Sequence, residues 1–331
     1  MQKRKWFIVP LLIIAVYFAG PRPPAPVYKK ELPTVPADPA SLENYIREKE
    51  AQHKIKPDNE ARIIWANDSL KEKTSYAIVY LHGFSASQAE GDPVHKTIAK
   101  KFGCNLFLSR LAEHGLDTTE QLVGLTADKL WTSAQEALAI AAQLGEKIIV
   151  MGTSTGGTLA LLLSATYPQV YADILLSPNI AIFDGRSRIL NNPWGVQAAR
   201  LITGSQYVYP ADERPIYKQY WSYGYRIEAV ANLEEMLETS MTPATFKKVK
   251  QPLLLLYYYK DEVRQDSVVR VDAMQKMFGE LGTPADKKRA TAMPMAGDHV
   301  MGSYIKSRDV EGVTREIERF MTEVLGMNEK N

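Results

Sequence analysis

The sequence predicts an α/β protein in which helices cover both faces of a mostly parallel central sheet. Apolar runs at residues 76–81, 147–153 and 253–258 have the length of buried strands, and segments with helical periodicity alternate with them. Reactive side chains stand directly after several of these runs, as expected where the carboxyl ends of parallel strands meet. This alternation of strand and helix favours one open sheet with helices on both sides.

A nucleophile is predicted at the end of the second of these runs. Gly152-Thr153-Ser154-Thr155-Gly156 stands between an apolar strand and a small-residue helical segment at residues 158–165. This context is typical of the sharp turn that exposes a catalytic serine above a helix N-terminus, where free N–H groups favour negative charge. The two glycines leave room for the close crossing of strand and helix. The motif therefore predicts Ser154 as a nucleophile, and the alternative is a turn that merely favours small residues.

A serine nucleophile needs a base and a group that orients the base. The apolar run at residues 253–258 leads into Asp261, and an extended segment at residues 292–298 leads to His299 in a loop that contains glycine. We therefore predict a Ser154, Asp261, His299 triad in that chain order. Asp266 is the rival acid, but it lies near an expected helix start, where capping alone favours an acid. Asp298 adjoins His299 and is expected to point away from it.

A fourth motif, His82-Gly83-Phe84, follows the strand at residues 76–81. On these four motifs, the sequence resembles the α/β-hydrolase superfamily over residues 61–325, and within it the carboxylesterase and monoacylglycerol-lipase-like branch. The resemblance implies that the N–H groups of Phe84 and Thr155 form an oxyanion hole, in which one donor is worth about 3–4 kcal/mol of barrier. His82 is expected to have a structural role in this loop.

The regular alternation stops after the strand at residues 173–178. The resemblance implies an inserted cap at residues 180–249, between two parts of the core at 41–179 and 250–331. Aromatic side chains are frequent in this segment, and we predict that Trp194 and Trp221 bind substrate in an apolar pocket. Ordinary packing of the insertion onto the core is the alternative explanation for these aromatic residues.

The composition excludes several other classes of protein. The chain has 331 residues and a net charge of +2, with no motif of a nucleic-acid-binding module, so no nucleic-acid partner is expected. Its single cysteine, Cys104, excludes an intramolecular disulfide and is expected to be buried. No zinc-binding spacing is present, and neither a metal nor a cofactor is predicted.

The N-terminal segment, residues 1–40, has a different character. Lys3-Arg4-Lys5 precede an apolar run at residues 6–20, which would span about 22 Å as a helix, against about 30 Å of hydrocarbon in a bilayer. An uncleaved membrane anchor with an extracytoplasmic catalytic domain is favoured over a cleaved signal peptide. The reason is that the bulky Tyr17 and the following Pro21 do not match the small-residue pattern of a cleavage site. The proline-rich spacer that follows is expected to be extended, weakly folded and separate from the core.

These residues together predict a serine hydrolase that cleaves carboxylic esters through an acyl-enzyme. The resemblance suggests esters of short-to-medium acyl chains or monoacylglycerols as substrates. Two alternatives stay open, because a fold does not determine a reaction. The same triad could cleave a thioester, amide or carbon–carbon bond, or the chain could be a membrane-tethered binding protein without activity.

Overall fold

The computed structural model describes the backbone of residues 5–330 and the side chains of residues 9–330. Lys3 and Arg4 of the predicted basic flank therefore lie outside the described residues. The strands are β1 (Arg62–Ile64), β2 (Thr74–Leu81), β3 (Asn105–Leu108), β4 (Gly145–Thr153), β5 (Val170–Leu176), β6 (Tyr207–Val208), β7 (Tyr225–Arg226), β8 (Leu253–Tyr257) and β9 (Lys288–Ala292). The helices are α1 (Lys5–Phe18), α2 (Pro39–Glu50), α3 (Val94–Phe102), α4 (Ala127–Leu144), α5 (Thr155–Thr166), α6 (Gly195–Thr203), α7 (Pro215–Tyr220), α8 (Ile227–Ser240), α9 (Pro243–Phe246), α10 (Val271–Glu280) and α11 (Val310–Glu323). Short 3₁₀ turns lie at Gln88–Gly91, Gly185–Asn191 and Ala285–Lys287.

Seven strands form one sheet in the order β1-β3-β2-β4-β5-β8-β9. Only β1 is antiparallel to its neighbour, β3, so the predicted mostly parallel sheet is confirmed. Successive side chains of a strand point to opposite faces, and in β2 Ala77 and Val79 pack into one core while Ile78 and Tyr80 pack into the other. Helices α4, α5 and α10 cover the first face, and α3 and α11 cover the second.

Side-chain caps mark the start of α2, α4, α9 and α11. α2 begins at Pro39 and is capped by Asp38, because the Asp38 carboxylate accepts a hydrogen bond from the Ser41 N–H at 2.9 Å. α10 begins at Val271, so the helix start that the sequence predicted near Asp266 lies five residues further along the chain.

The segment between β5 and β8 leaves the regular alternation, as the sequence predicted. It contains a 3₁₀ turn, α6 to α9 and the two-stranded antiparallel ribbon β6–β7. Its division into a cap with bounds at residues 180 and 249 stays a prediction, as does the boundary at residue 40.

The proline-rich residues 21–37, here called the N-terminal strap, pack against the core. The Trp131 indole N–H donates to the Lys29 carbonyl at 2.7 Å, and the Tyr167 hydroxyl donates to the Lys30 carbonyl at 2.9 Å. The side chain of Val35 is 9% exposed and belongs to the core. The expectation of a weakly folded spacer is wrong, because the free carbonyls of this extended backbone accept hydrogen bonds from side chains of α4 and from Tyr167, which follows α5.

Helix α1 precedes the strap and contains 14 residues, which corresponds to a length of about 21 Å. Among residues 5–330, no helix combines the length and the apolar character needed to cross a membrane. Cys104 is buried, as the sequence predicted.

Candidate active site

Ser154 lies in a strained turn between β4 and α5. Its backbone has φ 53° and ψ −117°, a conformation that L-residues rarely adopt. The Ser154 N–H donates to the Leu176 carbonyl at 3.0 Å, and the Ser154 carbonyl accepts from the Asn179 N–H at 2.9 Å. These bonds to the end of β5 hold the turn in place. A side chain at Gly156 would bring a Cβ atom within 1.8 Å of the Leu81 carbonyl oxygen, so only glycine permits this crossing.

A buried carboxylate orients His299. The Nδ1 atom of His299 lies 2.6 Å from Oδ2 of Asp266, whose side chain is 0% exposed. Oδ1 of Asp266 accepts hydrogen bonds from the N–H groups of Val268 at 2.9 Å and Val269 at 3.0 Å. Because a carboxylate only accepts, Nδ1 carries the proton and Nε2 is left as the base.

The prediction that Asp261 is the acid of the triad is wrong. The Asp261 side chain is 39% exposed and forms a surface ion pair with Arg264. The reason is a local excursion of the chain after β8. The Lys260 N–H donates to the Arg264 carbonyl at 2.9 Å, and the Asp266 N–H donates to the Tyr258 carbonyl at 3.0 Å. Residues 260–264 therefore project outward, and Asp266 occupies the position beside the strand end.

The charges around the imidazole favour its protonated form. Burial on its own lowers the pKa of His299, but Asp266, with smaller contributions from Glu90 and Asp298, raises it above the usual value. Burial on its own raises the pKa of Asp266, but the charge and hydrogen bond of His299 bring it below the usual value. Asp266 therefore stays ionised and stabilises the imidazolium that forms when Nε2 takes a proton. Asp298 instead accepts from the Val300 N–H at 3.0 Å and lies 3.4 Å from Lys306.

Two neutral histidines hold the loop that carries Phe84. His82 accepts from the Leu111 N–H at Nε2, at 3.0 Å, which leaves Nδ1 to donate to the Gly83 carbonyl at 2.9 Å. His114 accepts from the Ser85 N–H at Nε2, at 3.0 Å. Burial lowers the pKa of His82 well below its usual value and the pKa of His114 to about 4. These two histidines therefore contact the peptide groups on both sides of Phe84.

The two N–H groups predicted for the oxyanion hole are free to donate. Within residues 5–330, neither the Phe84 N–H nor the Thr155 N–H makes a backbone hydrogen bond outside the regular elements, and Thr155 is the first residue of α5, where N–H groups have no partner in the helix. Gly83 lies close to the nucleophile, since a Cβ atom there would be 3.0 Å from Cβ of Ser154. The loop and the helix N-terminus therefore flank the serine, as an oxyanion hole requires.

A cavity of about 470 Å³ contains both Ser154 and His299. Trp221 lines this cavity, but Trp194 does not: it is 41% exposed, and its indole N–H donates to the Val16 carbonyl at 3.0 Å. The prediction that Trp194 binds substrate is therefore wrong, because this side chain packs beside the end of α1. The other side chains that line the cavity are mainly aromatic and aliphatic, among them Phe84, Ile182, Tyr217, Tyr225, Val230, Leu233, Tyr258 and Val268.

Sequence reasoning missed two residues of this site. His114 stands in no recognisable motif, and its contact with the oxyanion loop spans 29 residues of sequence. Glu90 carries no local signal either, yet it is buried and lines the cavity.

Solved structures with a similar fold are esterases and lipases. A metagenome-derived lipolytic enzyme has a TM-score of 0.64 at 15% identity, over 81% of this chain and 99% of its own. Est1E from Butyrivibrio proteoclasticus has a TM-score of 0.53 at 17% identity, over 82% of this chain and 98% of its own. The monoacylglycerol lipase of Paleococcus ferrophilus has a TM-score of 0.52 at 14% identity, over 77% of this chain and 98% of its own.

No protein-family model matches the sequence, and no curated protein matches it significantly. The structural similarity and the sheet topology show that the chain has the α/β-hydrolase fold, as the sequence predicted. At 14–17% identity these neighbours show the fold, and membership of the carboxylesterase and monoacylglycerol-lipase-like branch stays a prediction.

Proposed function

We propose that the protein is a serine hydrolase that cleaves carboxylic esters. The observation that carries this proposal is the buried hydrogen bond between His299 Nδ1 and Asp266 in a cavity shared with Ser154. A strained serine, a histidine with one free ring nitrogen and a buried carboxylate are the three groups that nucleophilic acyl transfer needs. The strained backbone of Ser154 costs free energy, and such strain is typical of catalytic sites. It is not expected in a binding protein without activity.

In this mechanism, His299 Nε2 takes the Ser154 hydroxyl proton as Ser154 Oγ attacks the ester carbonyl carbon. The tetrahedral oxyanion accepts hydrogen bonds from the N–H groups of Phe84 and Thr155. The intermediate collapses, the bond to the alcohol oxygen breaks, and the imidazolium gives its proton to the leaving alcohol. Water then attacks the acyl-enzyme with Nε2 as base, which releases the acid and restores the serine hydroxyl.

The cavity supports esters of short-to-medium acyl chains, or monoacylglycerols, as substrates. Ile182, Val230, Leu233 and Val268 offer an apolar wall for an acyl chain. Asp298 and Lys306 line the same cavity and offer polar contacts to an alcohol with further hydroxyl groups. This distribution of side chains favours a substrate with one apolar and one polar part.

A panel of p-nitrophenyl esters of graded chain length tests the proposal. We expect hydrolysis with a maximum at short or medium acyl chains, and a loss of at least about a thousandfold in Ser154→Ala. The panel should be paired with thioester and anilide substrates of the same acyl groups. Turnover of a thioester or an anilide without turnover of the ester would show that the triad cleaves a thioester or an amide bond instead. The absence of all turnover would favour a binding protein.

We also propose that α1 attaches the protein to a membrane, with the hydrolase on the extracytoplasmic side. Apolar side chains of α1 are exposed, with Leu11 at 63%, Ile13 at 64% and Phe18 at 73%. Leu201 and Ile202 of α6 are 86% and 84% exposed, and Trp194, which caps α6, joins it to the end of α1. Exposed apolar surface of this extent is typical of segments that bind lipid.

Flotation with vesicles of phosphatidylcholine and phosphatidylglycerol tests this attachment. The full chain should float with the vesicles in high salt, whereas a chain that begins at Pro21 should stay at the bottom of the gradient. Equal flotation of both chains would assign membrane binding to another surface. Intact mass of the protein from its own cells tests the alternative, since a mature chain that begins near Gly20 or Pro21 would show a cleaved signal peptide.

A further inference from the structure

Glu90 is an acid that the mechanism above does not use, although it faces the catalytic cavity. It is 2% exposed and lies in the 3₁₀ turn Gln88–Gly91. This turn is closely packed: a Cβ atom at Gly91 would lie 2.5 Å from the Tyr80 ring, and one at Gly302 would lie 3.1 Å from Cα of Gly91. The position of the Glu90 side chain is therefore determined by a rigid, buried backbone.

The carboxyl group contacts the backbone of the oxyanion loop. Oε2 of Glu90 accepts a hydrogen bond from the Gly83 N–H at 2.5 Å. A Cβ atom at Gly83 would lie 2.8 Å from Oε1 of Glu90 and 3.0 Å from Cβ of Ser154. Gly83 is thus enclosed between the acid and the nucleophile, and a Cβ atom there would require one of these side chains to shift.

Structural stabilisation alone does not explain this acid. In the described part of the chain, no lysine or arginine forms an ion pair with Glu90, and burying a carboxylate without a cation costs free energy. Burial raises the pKa of the Glu90 carboxyl to about 7, so both of its protonation states are populated near neutral pH. Each state offers an oxygen that accepts from the Gly83 N–H.

The contact matters because glycine at position 83 has great freedom of rotation. The Gly83 carbonyl is held by His82 Nδ1 at 2.9 Å and by the Ala86 N–H at 3.2 Å, while the Gly83 N–H is held by Glu90. With both ends of the residue fixed, the Phe84 N–H in the next peptide group keeps one direction. Without the acid, rotation about the Gly83 N–Cα bond would be constrained from one end only.

We propose that Glu90 is a positioning residue of the reaction, because its carboxyl oxygen holds the Gly83 N–H and thereby keeps the Phe84 N–H directed at the oxyanion. This inference rests on the proposed ester hydrolysis. The Glu90 carboxyl is expected to stabilise the transition state, where the oxyanion exists, and to contribute much less to the binding of the substrate.

Three substitutions test the role of the hydrogen bond. Glu90→Gln keeps an oxygen acceptor of the same reach, Glu90→Ala removes it, and Glu90→Asp withdraws it by one methylene. For p-nitrophenyl butyrate, we expect kcat of Glu90→Gln within about threefold of wild type, while kcat of Glu90→Ala and Glu90→Asp falls by about 10-fold to 100-fold with KM nearly unchanged. Affinity for a boronic acid inhibitor, which forms a tetrahedral adduct on serine, should fall in parallel with kcat.

Gln88→Ala is the matched control, because Gln88 is buried in the same turn but does not line the cavity. Its kcat should be that of wild type, with Tm recorded for every variant. If Glu90→Ala does not fold, the comparison of Glu90→Asp with Glu90→Gln decides. Wild-type kcat in Glu90→Asp, or equal losses in the Gln and Asp variants, would overturn the inference. Failure of the proposed function would look different, since the wild type itself would then hydrolyse no ester.

Discussion

At the residue scale, the account depends on Asp266, and not Asp261, being the carboxylate that orients His299. Asp266→Asn should lower kcat by about a thousandfold or more, because the amide cannot hold the His299 tautomer that leaves Nε2 free. Asp261→Asn is the matched control and should retain kcat within about twofold, because it loses only an exposed ion pair. Steady-state kinetics on one p-nitrophenyl ester suffice. A larger loss in Asp261→Asn than in Asp266→Asn would contradict the geometry of the His299 contact.

The pH dependence of kcat/KM follows from the raised pKa of His299. Nε2 can accept the serine proton only when the imidazole is neutral, so activity should rise as pH rises through the pKa of His299. Because Asp266 raises that pKa, the midpoint of the acid limb should lie above about 6.5, the ordinary value for histidine. A pH–rate profile in buffers of constant ionic strength measures it. A midpoint clearly below the ordinary value would show that burial outweighs the charge of Asp266.

Ser154 and His299 could be predicted because each stands in a short motif whose neighbours in sequence are also neighbours in space. Asp266 could not be predicted, because its position depends on the outward projection of residues 260–264. Backbone hydrogen bonds hold this loop, and no sequence pattern predicts them. Trp194 was misplaced for a related reason. Its aromatic character predicts burial or binding, but its partner is the Val16 carbonyl, 178 residues away.

At the scale of elements, the crossing of β4 and α5 is the tightest point of the site. Gly156→Ala should destabilise the protein by at least about 3 kcal/mol, because its Cβ atom would overlap the Leu81 carbonyl of β2. Gly279→Ala in α10 is the control, since its Cβ atom would have open space and alanine favours the helix by about 0.5–1 kcal/mol. Urea unfolding followed by circular dichroism compares the two. Equal stability of both variants would mean that the crossing is looser than the structure shows.

The strands and helices of the sheet region followed from periodicity, but the N-terminal strap did not. An extended segment rich in proline has no repeating apolar pattern, so its sequence does not distinguish a free linker from a packed one. Its attachment depends on distant side chains, Trp131, Gln135 and Tyr167, that happen to face its carbonyls. Trp131 and Gln135 are at ordinary positions of α4 and Tyr167 directly follows α5, so none of them indicates a partner in the sequence.

At the scale of the whole molecule, the strap should stabilise the folded hydrolase. A chain that begins at Asp38 keeps the cap of α2 but loses the hydrogen bonds to Lys29 and Lys30 and exposes the surface that Val35 covers, so its Tm should fall by at least about 5 °C. A chain that begins at Pro21 lacks only α1 and its contact with Trp194, and should keep its Tm within about 2 °C. Differential scanning fluorimetry of the three lengths measures this. Equal Tm of the full chain and the chain from Asp38 would show that the strap does not stabilise the folded hydrolase.

The central claim is that the strained turn at Ser154, the base His299 and the oxyanion hole together make Ser154 a nucleophile. Covalent labelling tests this claim most directly. The full-length protein should react with a fluorophosphonate to give one adduct by intact mass, and peptide mapping should place it on Ser154. His299→Ala should slow the labelling strongly, and Ser154→Ala, with an unchanged Tm, should abolish it. An adduct on another residue, or undiminished labelling of a folded Ser154→Ala protein, would contradict the account.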